Sequence, residues 1–548
     1  MLQSVGIETN CRHFFDAILG IMPEDNKKKS QADEKKRKLK GFATVKAAQT
    51  AMLQTQTIDV EVDILRGFHS FTVVGLAGKA VDESRDRVSA AIKNSGFETP
   101  KKKNQKVVIA LAPADIKKSG PVFDLAIAMA YLLADEQIEA DTSETVFLGE
   151  LSLDGRLRPI NGTLPLVQHA KAEGFSTVVV PDENVDEAAL ISGITILSAD
   201  TLEQVIEHFN TEKTVRIKPA EKTEVAPTPA QHEYDFSQVR GNETAKRGLE
   251  IAAAGGHNIL LFGPPGTGKT MLARAFSSIL PPLETEAALE VTGIHSAAGE
   301  TKKPLITRPP FRAPHHTASY VAVTGGGSVP KPGEVTLAHR GVLFLDEFPE
   351  FSRRVIEALR QPLEDKTVRI TRARARAEFP ANFILLAAMN PCPCGNFGSD
   401  KECVCSPQAR ARYKRKISGP ILDRIDMWIE VAEVAHEALA EAPQGEKSPA
   451  VGKRVKQARA SQSRRFKKTA GVSTNSDMAT GDIDTHINLS PETKRLVTQS
   501  AQKLGLSARG HHKAVKLART IADLEGSKNI TEAHVLEALQ YRPKSWSA

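Results

Sequence analysis

Residues 263–270 read Gly-Pro-Pro-Gly-Thr-Gly-Lys-Thr, and no other stretch restricts the fold of this chain as severely. The run matches G-x-x-x-x-G-K-[ST], a phosphate-binding loop. Such a loop works between a buried strand and the first turn of a helix. Both flanks fit: Asn258 to Phe262 is an apolar run of strand length, and Met271 to Ile279 has a helical pattern. The glycines let consecutive backbone N–H groups turn inward around phosphates. The following helix adds the partial positive charge of its N-terminus. Gly263, Pro264, Pro265, Gly266, Thr267 and Gly268 form the cradle, Lys269 reaches the β- and γ-phosphates, and Thr270 offers its hydroxyl to Mg2+. A chance glycine-rich turn is the rival reading, and the flanks argue against it.

A second motif completes a nucleotide-hydrolysing set. Val342 to Leu345 is a continuous apolar run, as a parallel strand covered on both faces requires. It ends in Asp346-Glu347, at the strand end where open α/β sheets bind ligands. Asp346 suits Mg2+ and Glu347 suits polarisation of the attacking water, so the implied reaction is hydrolysis of a nucleoside triphosphate. A third strand, Phe383 to Met389, ends in Asn390, a polar tip able to orient the same water. Arg424 in Ile-Leu-Asp-Arg is either a finger for a neighbouring subunit or a surface salt-bridge partner.

At 548 residues the chain has room for about three domains. No stretch of 18 apolar residues is present, so no membrane span is expected, and the N-terminus lacks a signal-peptide pattern. Five cysteines, four of them clustered, do not make a secreted disulfide framework. The expectation is a cytoplasmic protein.

Along the chain, 1–40 is a basic, disordered leader with Lys27-Lys28-Lys29 and Lys35-Lys36-Arg37-Lys38. Alternating strand and helix patterns fill 41–210, a linker rich in Lys, Glu, Pro and Thr covers 211–234, the nucleotide core covers 235–433, and 434–548 ends in helices. Ser490-Pro491 reads as a helix cap with proline at the first helical position.

Between the acidic pair and Asn390, Lys366 to Arg376 alternates at period two, which implies extended backbone. Arg372, Arg374 and Arg376 then share a face or crowd a hairpin tip. Such cations suit phosphate backbone read without regard to sequence, or form a solvated edge that blocks strand pairing. Cys392, Cys394, Cys403 and Cys405 offer four thiolates for a tetrahedral Zn2+, although one-residue spacing is tighter than usual; free thiols or a redox pair are the alternatives. His315 and His316 are adjacent, so they read as loop histidines, either hydrogen-bonded locally or touching substrate. Gly325-Gly326-Gly327-Ser328 reads as a mobile loop and a weak second cradle.

Together these motifs resemble the ComM/YifB family of magnesium-chelatase-like AAA+ ATPases, over roughly Gly41 to Arg542. Specific stretches are Val60 to Phe97, Gly255 to Thr270, Pro310 to His316, Pro330 to Glu347, Ala387 to Gly395 and Lys416 to Arg424. The resemblance implies an α/β fold, with a P-loop AAA+ core and helical lid. It implies a hexameric ring using ATP and Mg2+, with DNA as partner in branch migration during natural transformation. On that pattern Asn390 is the sensor, Arg424 the finger, and Arg509 the second sensor in the lid, with Arg519 as fallback. Val239 and Gly241 precede the adenine pocket, where Asn242 replaces the usual Gln. The N-terminal part resembles the Lon protease domain, of the α+β ribosomal S5 domain 2-like fold. Val122 follows Gly120-Pro121 where Lon-type peptidases carry serine, and Leu164 follows Asn161-Gly162-Thr163 where they carry lysine. The dyad is therefore missing. The alternative function is a metal-chelatase-type motor subunit acting on a protein partner.

Overall fold

The computed structural model describes residues 40–51, 53–76, 78–115, 117–118, 120–211, 215–223, 234–301, 304–327, 331–372, 375–434 and 445–542. The basic leader, save its last residue, lies outside these, as do most of the expected linker, Ser119, Ser328 and Arg374. Only the backbone of Arg372 and Arg376 is described. The chain divides into two compact units, one holding Met1–Gln49, Thr55–Ile160 and Leu166–Lys222, the other Thr50–Gln54, Asn161–Pro165 and Thr223–Ala548.

The first unit is a mixed sheet with helices. Its strands are β1 (Phe42–Ala51), β2 (Gln54–Arg66), β3 (Ser70–Val74), β4 (Gln105–Ala112), β5 (Thr145–Phe147), β8 (Thr177–Pro181) and β9 (Thr195–Ala199), in the order β3-β4-β2-β1-β5-β8-β9. The short β6 (Glu150–Leu151) and β7 (Leu157–Arg158) pair separately. β2 runs antiparallel to β4, while β5, β8 and β9 run parallel. Ile58, Val60 and Val62 alternate into the core from β2, the signature of a half-buried strand. Helix α1 (Lys79–Asn94) meets the apolar α2 (Asp124–Ala134) through a buried ion pair, Arg87 Nε to Asp124 Oδ2 at 2.8 Å. Removing one partner of such a pair costs about 3–5 kcal/mol. Within the segment expected as linker, Arg216 donates to the Glu207 carbonyl (3.0 Å) and Ala220 N–H to the Ile196 carbonyl (2.8 Å).

The second unit holds a parallel five-stranded sheet: β10 (Ile259–Phe262), β11 (Phe311–Arg312), β12 (Val342–Leu345), β15 (Ile384–Met389) and β16 (Met427–Glu430), ordered β11-β12-β15-β10-β16. Every side chain of β12 and β15 is buried, which explains their unbroken apolar sequence. Sheet order puts the strands that end in the phosphate loop, the acidic pair and Asn390 side by side. Helix α3 (Glu243–Gly255) precedes β10, and α4 (Lys269–Phe276) follows the loop. Between β12 and β15, β13 (Thr367–Arg372) and β14 (Ala375–Pro380) form an antiparallel hairpin with Arg372 opposite Ala375. Its base is anchored by the buried Val368 and Phe379.

Four further helices are α5 (Pro407–Lys414), α6 (Ser448–Phe466), α7 (Pro491–Lys503) and α8 (Ala508–Leu524), followed by α9 (Glu532–Gln540). Helix α6 lies in the part of 434–548 ahead of the terminal helices, where the sequence is polar with a basic block around Arg464, Arg465, Lys467 and Lys468. Its buried Val451, Val455, Ala458, Gln462 and Phe466 recur at three- and four-residue spacing. Arg459 donates to the Ala253 carbonyl (2.7 Å) and Gln462 to that of Ala254 (3.1 Å), satisfying orphan carbonyls at the end of α3. Ser490 caps α7 as expected, accepting from Thr493 N–H.

Candidate functional site

The loop 263–268 leaves β10 and enters α4 with Gly266 and Gly268 at φ +84° and +85°, a region that favours glycine. A Cβ at either would meet nothing within 4 Å, so both backbones face open space. At Gly263 a Cβ would lie 2.2 Å from the Val431 carbonyl oxygen, so this position accepts only glycine for a different reason. Lys269 is buried, and its Nζ donates to the carbonyls of Gly263 (2.8 Å) and Pro264 (2.7 Å). Burial lowers its pKa below the usual ammonium range, against the opposing pull of Asp346. A cleft of about 520 Å³ opens here, lined by Tyr234, Gly266, Gly268, Lys269, Thr270, Met271 and Arg274. Tyr234 sits under the Arg274 guanidinium at 5.6 Å, and sequence motifs point to neither residue.

Thr270 Oγ1 donates to Asp346 Oδ2 at 2.7 Å. A hydroxyl and a carboxylate 76 positions apart thus meet at the adjoining ends of β12 and the phosphate loop. The donor set, two oxygens beside an open glycine cradle, fits Mg2+ carried by nucleotide phosphates. Glu347 follows with φ +50°, and its Oε2 lies 3.0 Å from His316 Nδ1. The His316 ring stacks near His315 at 4.2 Å, while His315 Nδ1 pairs with Thr317 Oγ1 at 2.8 Å. Of the two loop histidines, one therefore touches the acidic pair. Asn390 is half-buried at the tip of β15, one residue after Met389, whose carbonyl accepts from Gly263 N–H (3.3 Å).

Arg424 and Arg509 come together elsewhere. Arg424 Nη2 pairs with Glu364 Oε2, and Arg509 Nη2 reaches Glu364 Oε1 at 3.2 Å. The Arg424 carbonyl accepts from Asn258 Nδ2 (3.2 Å), at the end of β10 away from Gly263. The length of β10, on the order of 13 Å, separates that end from the phosphate loop. Arg519 is buried and fully engaged with Asp523 and the carbonyls of Ser527 and Lys528, so it has no reach toward a ligand. Val239 is buried, with its carbonyl taken by Lys246 Nζ (3.2 Å). Gly241 lies against Val434, and Asn242 Nδ2 donates to the Ala432 carbonyl (3.4 Å).

The four cysteine sulfurs lie within 4.8 Å of one another. Cys392 Sγ is 3.4 Å from Cys394 Sγ and 3.7 Å from Cys403 Sγ, and Cys394 Sγ is 3.7 Å from Cys403 Sγ. A tetrahedral metal with bonds of about 2.3 Å sets sulfurs about 3.8 Å apart, whereas a disulfide needs about 2.05 Å. Cys394 N–H points at Cys405 Sγ (3.4 Å) and Phe397 N–H at Cys392 Sγ (3.3 Å). The cluster fits a metal. Gly325 to Gly327, by contrast, form no second cradle: Gly326 and Lys331 exchange backbone hydrogen bonds (3.0 and 3.1 Å), and a Cβ on Gly325 would strike the Lys331 carbonyl at 2.6 Å. In the first unit Lys118 is buried and donates to the Pro113 carbonyl. Leu164, at the expected lysine position, is also buried and is grouped with the second unit.

A larger cavity of about 900 Å³ is lined by Arg340, Arg459 and Arg464 among others. It includes Gly341 and Phe383, which precede β12 and β15, so it opens at the other ends of the strands. The smaller cleft is the one lined by the motif residues Gly266, Gly268, Lys269 and Thr270. No helix among the described residues is long and apolar enough to cross a membrane.

Comparison with known proteins agrees with this site. The family described as magnesium chelatase, subunit ChlI, matches residues 235–439; subunit ChlI of Mg-chelatase matches 60–184, and the ChlI C-terminal family matches 445–542. The uncharacterized protein YifB of Salmonella typhimurium is 43% identical over 88% of this chain and 94% of its own length. The competence protein ComM of Haemophilus influenzae is 39% identical over 91% of this chain and 97% of its own length. A shorter stretch, 20% of the chain, is 32% identical to Lon protease 2 of Bacillus subtilis and covers 19% of that protein. With identity of this order across nine-tenths of its length, the chain belongs to the YifB/ComM family of magnesium-chelatase-like AAA+ ATPases and hydrolyses ATP.

Proposed function

We propose that this ATPase is a motor subunit of the magnesium-chelatase type, assembling with copies of itself into a ring and working on a macromolecular partner. The observation that carries the reading is the meeting of Thr270 with Asp346 beside the glycine cradle, under three successive chelatase-subunit family matches. Lys269 binds the phosphates, Thr270 and Asp346 hold Mg2+, and Glu347 takes the proton of the attacking water. Mg2+ held there would supply positive charge against the phosphates. Asn390 aligns the water, and Val239 and Gly241 border the base. Arg424 and Arg509 are offered to the nucleotide of a neighbour. The Arg424 backbone, a strand's length from the phosphate loop, and its sharing of Glu364 with Arg509 support action between subunits rather than within one.

The chelatase-type reading makes a protein the partner. A second reading, a DNA translocase or helicase promoting branch migration, is favoured by the β13–β14 hairpin, whose strands include Arg372 and Arg376 with Arg374 between them in sequence, and by the competence name of one relative. Residues 41–210 form a Lon-protease-like domain of the S5 domain 2-like fold without its dyad, a scaffold on which Val122 and Leu164 replace nucleophile and base. Cys392, Cys394, Cys403 and Cys405 hold one Zn2+.

Steady-state ATP hydrolysis with and without single-stranded DNA, at fixed low salt, separates the partners. Several-fold stimulation that disappears on replacing Arg372, Arg374 and Arg376 with alanine, while basal hydrolysis stays, selects DNA. A rate indifferent to DNA selects a protein partner.

A further inference from the structure

The cysteine loop and the phosphate loop touch. Gly395 belongs to the turn that Cys392 and Cys394 begin, closed by Gly395 N–H to the Cys392 carbonyl at 3.0 Å. A Cβ on Gly395 would lie 2.5 Å from Cδ and 3.0 Å from Cγ of Pro265. The backbone of the cysteine turn therefore rests directly on the ring of a phosphate-loop residue. Gly395 has φ +87°, so this close approach is built with the one residue that tolerates both the contact and the backbone.

The cysteine loop is itself fastened on its other sides. Cys392 is buried two residues beyond Asn390, at the end of β15. The Arg410 guanidinium from α5 covers the Phe397 ring at 4.2 Å. Lys401 Nζ reaches Glu433 Oε1 at 3.7 Å, just past β16. The second pair, Cys403 and Cys405, closes the loop back onto the first through the sulfur contacts, beside one hydrogen bond from Asn396 Nδ2 to the Glu402 carbonyl at 3.4 Å. Without a metal those contacts join four free thiols only weakly, and the turn that rests on Pro265 loses its fastening to the second pair. Pro264, next in line, supplies one of the two carbonyls that seat Lys269.

We propose that the four cysteines form a zinc buttress for the phosphate loop, so that zinc occupancy sets the affinity for ATP. This rests on reading the cluster as a zinc site and 263–270 as the nucleotide site. A metal ligand set commonly orients what lies behind it, and here that is a catalytic loop rather than an isolated fold.

The test uses the full chain as purified. Metal content by mass spectrometry is measured first, then the affinity for a fluorescent ATP analogue with Mg2+ by equilibrium titration. Zinc is then stripped with a chelator, and in parallel Cys403→Ser with Cys405→Ser removes the arm distant from Pro265. Circular dichroism reports whether the fold persists. The expected result is one zinc per chain and an affinity about tenfold weaker on stripping, restored by adding zinc back. Gly395→Ala supplies a variant that keeps all four sulfurs: zinc stays at one per chain while affinity falls by a similar factor. Zinc present but affinity unchanged in the stripped chain and in Gly395→Ala overturns the buttress. A chain that neither carries nor takes up zinc overturns the zinc reading beneath it.

Discussion

Alanine at Gly263 and alanine at Gly266 perturb the same loop for different physical reasons, and their costs should separate. At Gly263 the new Cβ would sit 2.2 Å from the Val431 oxygen and 3.1 Å from the Val431 carbon. An ordinary carbon–oxygen approach is about 3.3 Å, so the chain after β16 must retreat by about 1 Å. Val431 N–H donates to the Phe262 carbonyl at 2.8 Å, and that bond is lost in the retreat. Overpacking of about 1–3 kcal/mol plus a hydrogen bond of about 1 kcal/mol gives roughly 2–4 kcal/mol. At Gly266 nothing lies within 4 Å, and only φ +84° resists the substitution. Left-handed backbone costs an alanine about 1 kcal/mol. In the nucleotide-free protein, at about 2–4 °C per kcal/mol, Gly263→Ala should melt roughly 4–16 °C lower than the parent and Gly266→Ala roughly 2–4 °C lower. Both should weaken binding of a fluorescent ATP analogue, Gly266→Ala because its methyl enters the cradle. Differential scanning fluorimetry of the two variants side by side is the assay. Equal melting temperatures, or a lower one for Gly266→Ala, would refute the reasoning.

Glu347→Gln keeps size and removes the base. Hydrolysis should fall by about 10²–10³-fold while ATP affinity holds within about twofold, and more than a tenth of the parent rate remaining would remove Glu347 from its role. His316 lies 3.0 Å from Glu347, whose side chain is 56% exposed, so the imidazole orients a carboxylate otherwise free to turn to solvent. A hydrogen bond to a charged group is worth about 1.5 kcal/mol, so His316→Ala should lower kcat about tenfold with KM little changed; a rise in KM alone would make His316 a binding residue instead. Glu290 has its pKa lowered to about 2, first by a hydrogen bond from His339, with Arg340 adding to it and burial opposing. A carboxyl depressed from its ordinary 4.5 adds stability that is complete above that value and is lost as pH falls toward about 2. At 38% exposure solvent screening reduces the contribution to about 1 kcal/mol. The melting difference between the parent and Glu290→Gln should therefore be largest at neutral pH and close between pH 4.5 and pH 2; a difference that grows in acid contradicts it.

The strands that carry the site could be read from sequence because each is buried on both faces and so appears as an uninterrupted apolar run: Ile259–Phe262, Val342–Leu345 and Ile384–Met389. Loop chemistry could be read too, since glycine and a Lys-Thr ending have few other uses. Helix α6 was hidden. Its core positions include Ala458 and Gln462, which hydropathy does not flag, and its outer face is dense with Lys and Arg. Long-range partners were hidden for a different reason. Local pattern says nothing of His316 meeting Glu347, of Tyr234 under Arg274, or of Arg424 and Arg509 sharing Glu364. These pairings depend on sheet order and on where loops return, and period two or three-and-a-half carries neither. The glycine triplet misled because close backbone packing and phosphate binding ask for the same residue.

Glu364 is one carboxylate serving two arginines from segments 85 positions apart, Arg424 and Arg509. Its single charge balances only half of theirs, so the pair keeps a surplus positive charge that a passing phosphate can claim. Once a phosphate draws one arginine away, the carboxylate belongs wholly to the other. The two guanidiniums are thereby linked like weights on one pulley: lifting either settles its companion.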